Sequence, residues 1–272
     1  MTGHEAPRAS RRSTTTYQIY DYLLGGTDNY AADREAAEAV LRVAPVVREA
    51  ARENRAFLQR AVRFLVGEAG VRQVIDIGAG VPAAGNVHEI ARQVAPGVRV
   101  VYVDNDPIVQ VHANALLAGD ANTRVALADL RDPGAILAHP EVRELIDFGQ
   151  PVALLLLAIL HFVPDEEAPG QLIAAFRDGL PPGSYLALSH GCADEVPQDV
   201  IGRATSAYDK ATAPLVLRGR AQISRFFDGF EPVDPGLVYI PLWRPDGAPP
   251  DPHEASRTGM FGGVGRQDAP SA

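Results

Sequence analysis

An α/β architecture with a mostly parallel, twisted sheet is the expectation raised by this chain of 272 residues, and three features support it. Residues 74–106 read VIDIGAGVPAAGNVHEIARQVAPGVRVVYVDND, which places a strand, a glycine turn, a helix and a second strand in one run. Residues 151–160 are apolar without alternation, the pattern of a central parallel strand covered on both faces. Strand-like and helix-like segments keep alternating as far as residue 189, which favours repeated β-α units. About seven strands are expected, with helices on both faces and a helical cap ahead of the sheet.

Residues 1–13 are polar, carry Arg8, Arg11 and Arg12, and show no apolar period, so they read as a disordered arm. Tyr17, Tyr20, Asp21 and Leu24 stand at helical spacing, and Gly25-Gly26 then ends that helix. Thr27-Asp28-Asn29-Tyr30 is a polar turn with one aromatic ring. Helices are expected over residues 33–43 and 45–66, the second with Val47, Ala50, Ala51, Phe57, Leu58 and Ala61 on its apolar side. Residues 14–72 thus form an N-terminal helical cap, or lid segment.

Val74, Ile75 and Ile77 make a short β-branched run that breaks at Gly78-Ala79-Gly80, where two glycines permit a tight turn and close approach of a ligand. Asn86 and Glu89 have capping-box spacing, and Val87, Ile90, Ala91 and Val94 mark one helical face. Pro96-Gly97 stops the helix, and a valine-rich strand runs to Asp104. Strand, glycine turn, helix and a strand ending in an acid make half of a Rossmann nucleotide-binding unit, in which the acid meets the ribose hydroxyls of an adenosine. A helix over residues 107–117 follows, with Ile108, Val111 and Ala115 on one side, then a strand over 125–127 that runs into Ala128-Asp129-Leu130. After the apolar strand come a helix over 171–180, a strand over 185–189, a helix over 219–227 and a last strand over 237–243. Residues 73–244 form this Rossmann-like core. Ten of the last 28 residues are Pro or Gly, so residues 245–272 read as a disordered tail.

Gly78, Gly80 and Ala83 formally satisfy the dinucleotide spacing G-x-G-x-x-G/A, so an NAD-dependent oxidoreductase is one reading. Asp76 argues for another. A carboxylate beside the turn opposes a pyrophosphate but is a partner for the sulfonium and ammonium of S-adenosylmethionine, which is the preferred cofactor. The bland role for Asp76 is to cap local backbone amides. Net charge is −9 and pI is about 5.3, which disfavours a nucleic-acid substrate. A single cysteine, Cys192, excludes an internal disulfide, and seven histidines form no metal-binding pattern, so no metal is expected. The longest apolar run falls well short of the ~20 residues that span a bilayer, and no signal peptide is legible, so a cytoplasmic location is expected.

The motifs YDYLLGGTDNYAADREAA, IDIGAGVPAAGNVHE, VVYVDNDPIV, ADLRDP and LLLLAILHFVPDE occur in that order. Together they resemble a class I S-adenosylmethionine-dependent methyltransferase, of a bacterial family formerly catalogued as a domain of unknown function. The resemblance spans roughly residues 14–245. It implies that Asp76, Gly78 and Gly80 line the methionine half of the cofactor, that Asp104 meets the ribose and that Asp129 and Leu130 meet the adenine, with Ala79 and Asn105 as further cofactor-binding candidates. Ala158 would lie under the cofactor with His161 just beyond it. His161 is a candidate general base, since it follows a buried strand at the edge where α/β proteins bind ligands; its bland role is a hydrogen bond to a loop. His190, after the next strand, shares that ambiguity. Tyr17, Asp28, Asn29 and Tyr30 are candidate lid or substrate residues, with simple turn chemistry as the alternative for the last three. The expected reaction is methyl transfer to a small-molecule acceptor. A non-catalytic S-adenosylmethionine-binding regulator is the reading from another class, and neither the acceptor nor the oligomeric state is legible.

Overall fold

The computed structural model describes residues 16–80, 85–194, 198–208 and 214–268. The expected arm over residues 1–13 lies outside them, as does Ala83 of the dinucleotide spacing. Three helices come first: α1 (Thr16–Leu24), α2 (Ala31–Val43) and α3 (Val47–Arg63). Ile19, Leu23, Ala37 and Ala51 join these helices in a small core of their own. The opposite side of α3 carries Phe57, Ala61 and Val62 into the core on one face of the sheet, and a π turn over Phe64–Glu68 leads into the first strand.

The alternating part runs β1 (Gln73–Ile77), α4 (Val87–Val94), β2 (Arg99–Asp104), α5 (Pro107–Leu116) and β3 (Thr123–Leu127). It continues through α6 (Pro133–Ala138), α7 (Pro140–Leu145), β4 (Ala153–Leu157), α8 (Pro169–Gly179) and β5 (Tyr185–Gly191). Then come α9 (Gln198–Tyr208), α10 (Arg220–Ser224), β6 (Phe230–Pro232), β7 (Val238–Tyr239), α11 (Pro252–Ser256) and β8 (Met260–Gln267). The sheet order is β3-β2-β1-β4-β5-β8-β6, with β7 also on β8. The first five strands are parallel, and β8 runs antiparallel to β5, so the expected mostly parallel Rossmann-like sheet is present. Chain order reverses between β1 and β4, which sit side by side with Ile75 opposite Leu154. A crevice opens at such a point, beyond the carboxyl ends of the strands. Among the described residues no helix is long and apolar enough to cross a membrane.

Three expectations need correcting. Residues 245–268 do not form a disordered tail, since β8 lies inside the sheet between β5 and β6 and α11 precedes it; the last four residues of the expected tail lie outside the described residues. The glycines that suggested disorder are there for close packing. A Cβ on Gly262 would stand 2.7 Å from the Ile240 side chain and 3.0 Å from Phe57, and one on Gly265 would stand 2.8 Å from Phe230. Met260, Phe261 and Val264 are buried beside them. The strand expected over 237–243 shrinks to two residues, because the chain turns at Ile240–Leu242 to bury Trp243 edge-on against Phe57 and Phe64. On α5 the buried residues are Val109 and Ala113, while Val111 is exposed; the helix offers two short apolar stripes, and the neighbouring strands cover the other one.

Candidate functional site

The crevice widens into a cavity of ≈ 650 Å³, walled by the ends of β1, β2 and β4 and by the cap. Gly78 and Gly80 have φ of 72° and 63°, values that favour glycine. Space requires the first as well, since a Cβ on Gly78 would lie 2.7 Å from the Ile159 side chain, and it is tight at the second, where one on Gly80 would lie 3.3 Å from Tyr17. Asp104, at the end of β2, ties the turn down, since one carboxylate oxygen accepts from the Gly80 amide at 2.9 Å and the other from the Asp106 amide at 3.0 Å. Burial pushes the Asp104 carboxyl up, and those amides partly offset it. Asn105 reaches across to Asp129, donating at 3.2 Å, and the Arg131 amide donates to the other oxygen of Asp129 at 2.9 Å. Burial alone would raise Asp129, but these bonds hold it below the usual carboxylate range.

Asp76 is buried on β1, at the strand's end beside the glycine turn. Burial raises its pKa to about 7; Arg55 acts against that and Asp104 adds to it. Arg55, from α3, donates to the Asn86 side chain at 2.7 Å. The expected capping box therefore does not form: Asn86 spends its oxygen on Arg55, because α3 packs across the start of α4, and Glu89 accepts from the Gly85 amide instead.

The other side of the cavity begins where β4 ends. Ala158 has a left-handed φ of 53° and precedes a 3-10 turn, Leu160–Phe162, that carries His161. The Gly191 amide donates to Nδ1 of His161 at 3.3 Å, so the proton of the neutral ring sits on Nε2. Burial, with His190 and Arg218 adding to it, lowers the His161 pKa well below its ordinary value. Behind this turn the buried Arg218 guanidinium donates to the carbonyls of Leu160 and Val163, to Asp165 and to Nε2 of His190. His190 donates through Nδ1 to the Gly191 carbonyl at 2.7 Å, and burial brings its pKa down to about 4. His190 does not line the cavity; it braces the clamp that holds the turn.

Of the anticipated residues, Asp76, Gly78, Ala79, Gly80, Asp104, Asn105, Asp129, Leu130, Ala158, His161 and Tyr17 all line this one cavity. The Tyr17 hydroxyl is pushed up to about 12 by burial and by Asp106, with Tyr30 and Asp28 adding to it. Asp28, Asn29 and Tyr30 are not part of the lining. Asn29 serves its own turn, donating to Asp21 at 2.7 Å and to the Gly26 carbonyl at 2.9 Å, as the turn-chemistry alternative supposed. Sequence reasoning missed Gln18, Tyr20, Asn54, Arg55, Tyr208 and Met260. One signal was available: Asn54 falls at i+3 and i+4 from Ala51 and Ala50 and before Phe57 and Leu58, a polar residue on an apolar helix face.

The lining fits S-adenosylmethionine on its own chemistry, with an acid at the end of β2 for a diol, a second acid beyond β3, and buried Asp76 near the glycine turn for positive charge. A family model described as S-adenosyl methyltransferase matches residues 4–268. A crystal structure of a candidate methyltransferase from Thermobifida fusca YX is 42% identical with a TM-score of 0.90, covering 96% of this chain and 97% of that one. A DUF574 family protein from Streptomyces avermitilis MA-4680 is 44% identical with a TM-score of 0.89, covering 96% and 100%. The N-methyltransferase NodS from Bradyrhizobium japonicum WM9, in complex with S-adenosyl-L-homocysteine, shares the fold at 16% identity and a TM-score of 0.52, over 94% of this chain and 100% of that one. No curated protein sequence matches the chain. The family match also removes the dinucleotide reading that the glycine spacing left open. By this match, and by two close structural relatives across nearly its whole length, the chain belongs to the S-adenosyl methyltransferase family, whose methyl donor is S-adenosylmethionine.

Proposed function

We propose that the chain methylates a small-molecule acceptor held beneath α1, α3 and α9. The observation that carries this reading is the cavity itself. Its ≈ 650 Å³ lies inside the range of about 300–1,000 Å³ typical of small-molecule sites. The net charge of −9 speaks against a nucleic acid. In this reading Asp104 and Asn105 hold the ribose, Asp129 and Leu130 the adenine, and Asp76 with the Gly78–Gly80 turn the methionine half. Bound S-adenosylmethionine supplies an activated methyl group. The protein's part is to align the acceptor with it, exclude water and manage one proton.

His161, in the cavity wall, is the candidate for that last task. With Nδ1 engaged by Gly191, its Nε2–H is a donor, and a base role requires the ring to exchange tautomer or release Gly191. We therefore assign His161 first as a donor that orients the acceptor. Fractionated small molecules from a cell extract, assayed by release of S-adenosylhomocysteine, identify the acceptor. His161→Gln, which keeps a donor, should then retain most of the rate that His161→Ala loses. If both variants fall ~10²–10⁴-fold, His161 is a base. If no fraction under a peptide's size is methylated while a macromolecular fraction is, the small-molecule reading is wrong.

A further inference from the structure

We propose that Ser189, Asn54 and Tyr20 form a positioning relay that holds the Ala158 backbone in its left-handed conformation and ties the N-terminal helices to the cofactor site. The proposal rests on the cofactor reading of this cavity and adds residues to it that act through Ala158. An alanine at φ of 53° is strained, and glycine would adopt the same backbone without that strain. The surrounding structure must therefore hold it. The Ala158 amide is shared between the Ser189 carbonyl at 3.1 Å and Ser189 Oγ at 2.9 Å. The Ser189 hydroxyl donates to Asn54 Oδ1 at 2.6 Å, Asn54 Nδ2 donates to the Tyr20 hydroxyl at 3.0 Å, and Tyr20 donates to the Ala51 carbonyl at 3.1 Å.

Ser189, Asn54 and Tyr20 each accept from one neighbour and donate to the next. Ser189 is 0% exposed and Asn54 4%, and a buried amide on the apolar face of α3 is tolerated only because both its ends are satisfied. The relay crosses from β5 through α3 to α1, elements far apart in sequence. At its other end it meets the glycine turn: Ala158 precedes Ile159, whose side chain fills the space that a Cβ on Gly78 would need. A shift of Ala158 moves the support of the turn that faces the cofactor.

The test is a double-mutant cycle on the full chain, read by calorimetric binding of S-adenosylhomocysteine alongside the melting temperature. Ser189→Ala should weaken binding by about tenfold and Tyr20→Phe by about threefold, from hydrogen bonds of ordinary strength. Introduced on top of Ala158→Gly, each substitution should cost less than about twofold, because glycine holds a positive φ without the relay. If either folded variant binds like wild type, or if its loss persists undiminished in the Ala158→Gly background, the relay does not act through Ala158 and the proposal is overturned. A purely structural role would lower the melting temperature in both backgrounds and leave affinity unchanged. Tyr20→Phe removes a single hydroxyl, so its arm of the cycle decides the matter if Ser189→Ala does not fold. Failure of the wild-type chain to bind S-adenosylhomocysteine is a separate outcome, and it overturns the cofactor reading on which the relay rests.

Discussion

The two halves of the cavity are assembled over different distances along the chain. In the half beyond β1, β2 and β3, Asp104 is organised by amides at Gly80 and Asp106, and Asp129 by Asn105 and Arg131; each partner lies within 24 residues. In the half beneath the cap, Asn54 meets Ser189 across 135 residues, and Arg218 holds Leu160 across 58. The first half is made of strand ends and turns, whose geometry follows from local sequence. The second is made of helix faces and loops brought together by packing, so its polar groups are satisfied only once the chain has closed.

If that contrast is right, substitutions in the first half should act on affinity, through the ligand contact and the turn, while leaving the sheet intact. The largest effect is expected for Asp104→Ala. Charge-assisted hydrogen bonds to ribose hydroxyls contribute about 1.5–3 kcal/mol, so S-adenosylhomocysteine should bind about 10- to 150-fold more weakly by calorimetry, with circular dichroism unchanged. Asp104→Asn should fall in between. Wild-type affinity in both would break the comparison at its best-ordered point.

A smaller effect is expected from pH. Asp76 has a pKa of about 7 in the free protein, and a cationic ligand beside it lowers that value. Binding of S-adenosylmethionine then releases a proton. Affinity should be full above pH 7 and fall as the pH drops through 7, by at most about tenfold per unit. Calorimetry in buffers of different ionisation enthalpy reads the released proton directly, and Asp76→Asn should abolish it. Proton release that survives in this variant would assign the titration to another group.

The smallest effect is expected at Asn29, whose side chain serves its own turn. Asn29→Ala should change S-adenosylhomocysteine affinity by less than about twofold while loosening the turn by about 0.5–1.5 kcal/mol, measured by denaturant titration. A large loss of affinity would show that the turn closes on the ligand and would sharpen the division between the two halves.

Local pattern was enough for the parallel strands, the glycine turn, the acid at the end of β2 and the family resemblance, because β-branched runs, turn glycines and strand-terminal acids express constraints between near neighbours. It was also enough to name much of the cavity lining, Asp76, Asp104, Asp129 and His161 among it. Composition misled at the C-terminus, where glycine density was read as disorder; Gly262 and Gly265 are small because Phe57, Ile240 and Phe230 occupy the space beside them, and those neighbours are remote in sequence. Asn54 stood out as a polar residue on an apolar face, but only the packed molecule supplies Tyr20 and Ser189 to satisfy it. The state of His161 was likewise beyond local reading, since its tautomer depends on the Gly191 amide and its depressed pKa on burial beside His190 and Arg218. Sequence by itself determined the elements and the chemical types placed at their ends. Tertiary structure alone decided which side chains are buried together and which hydrogen bonds they complete, because burial and pairing depend on contacts between segments that no local pattern records.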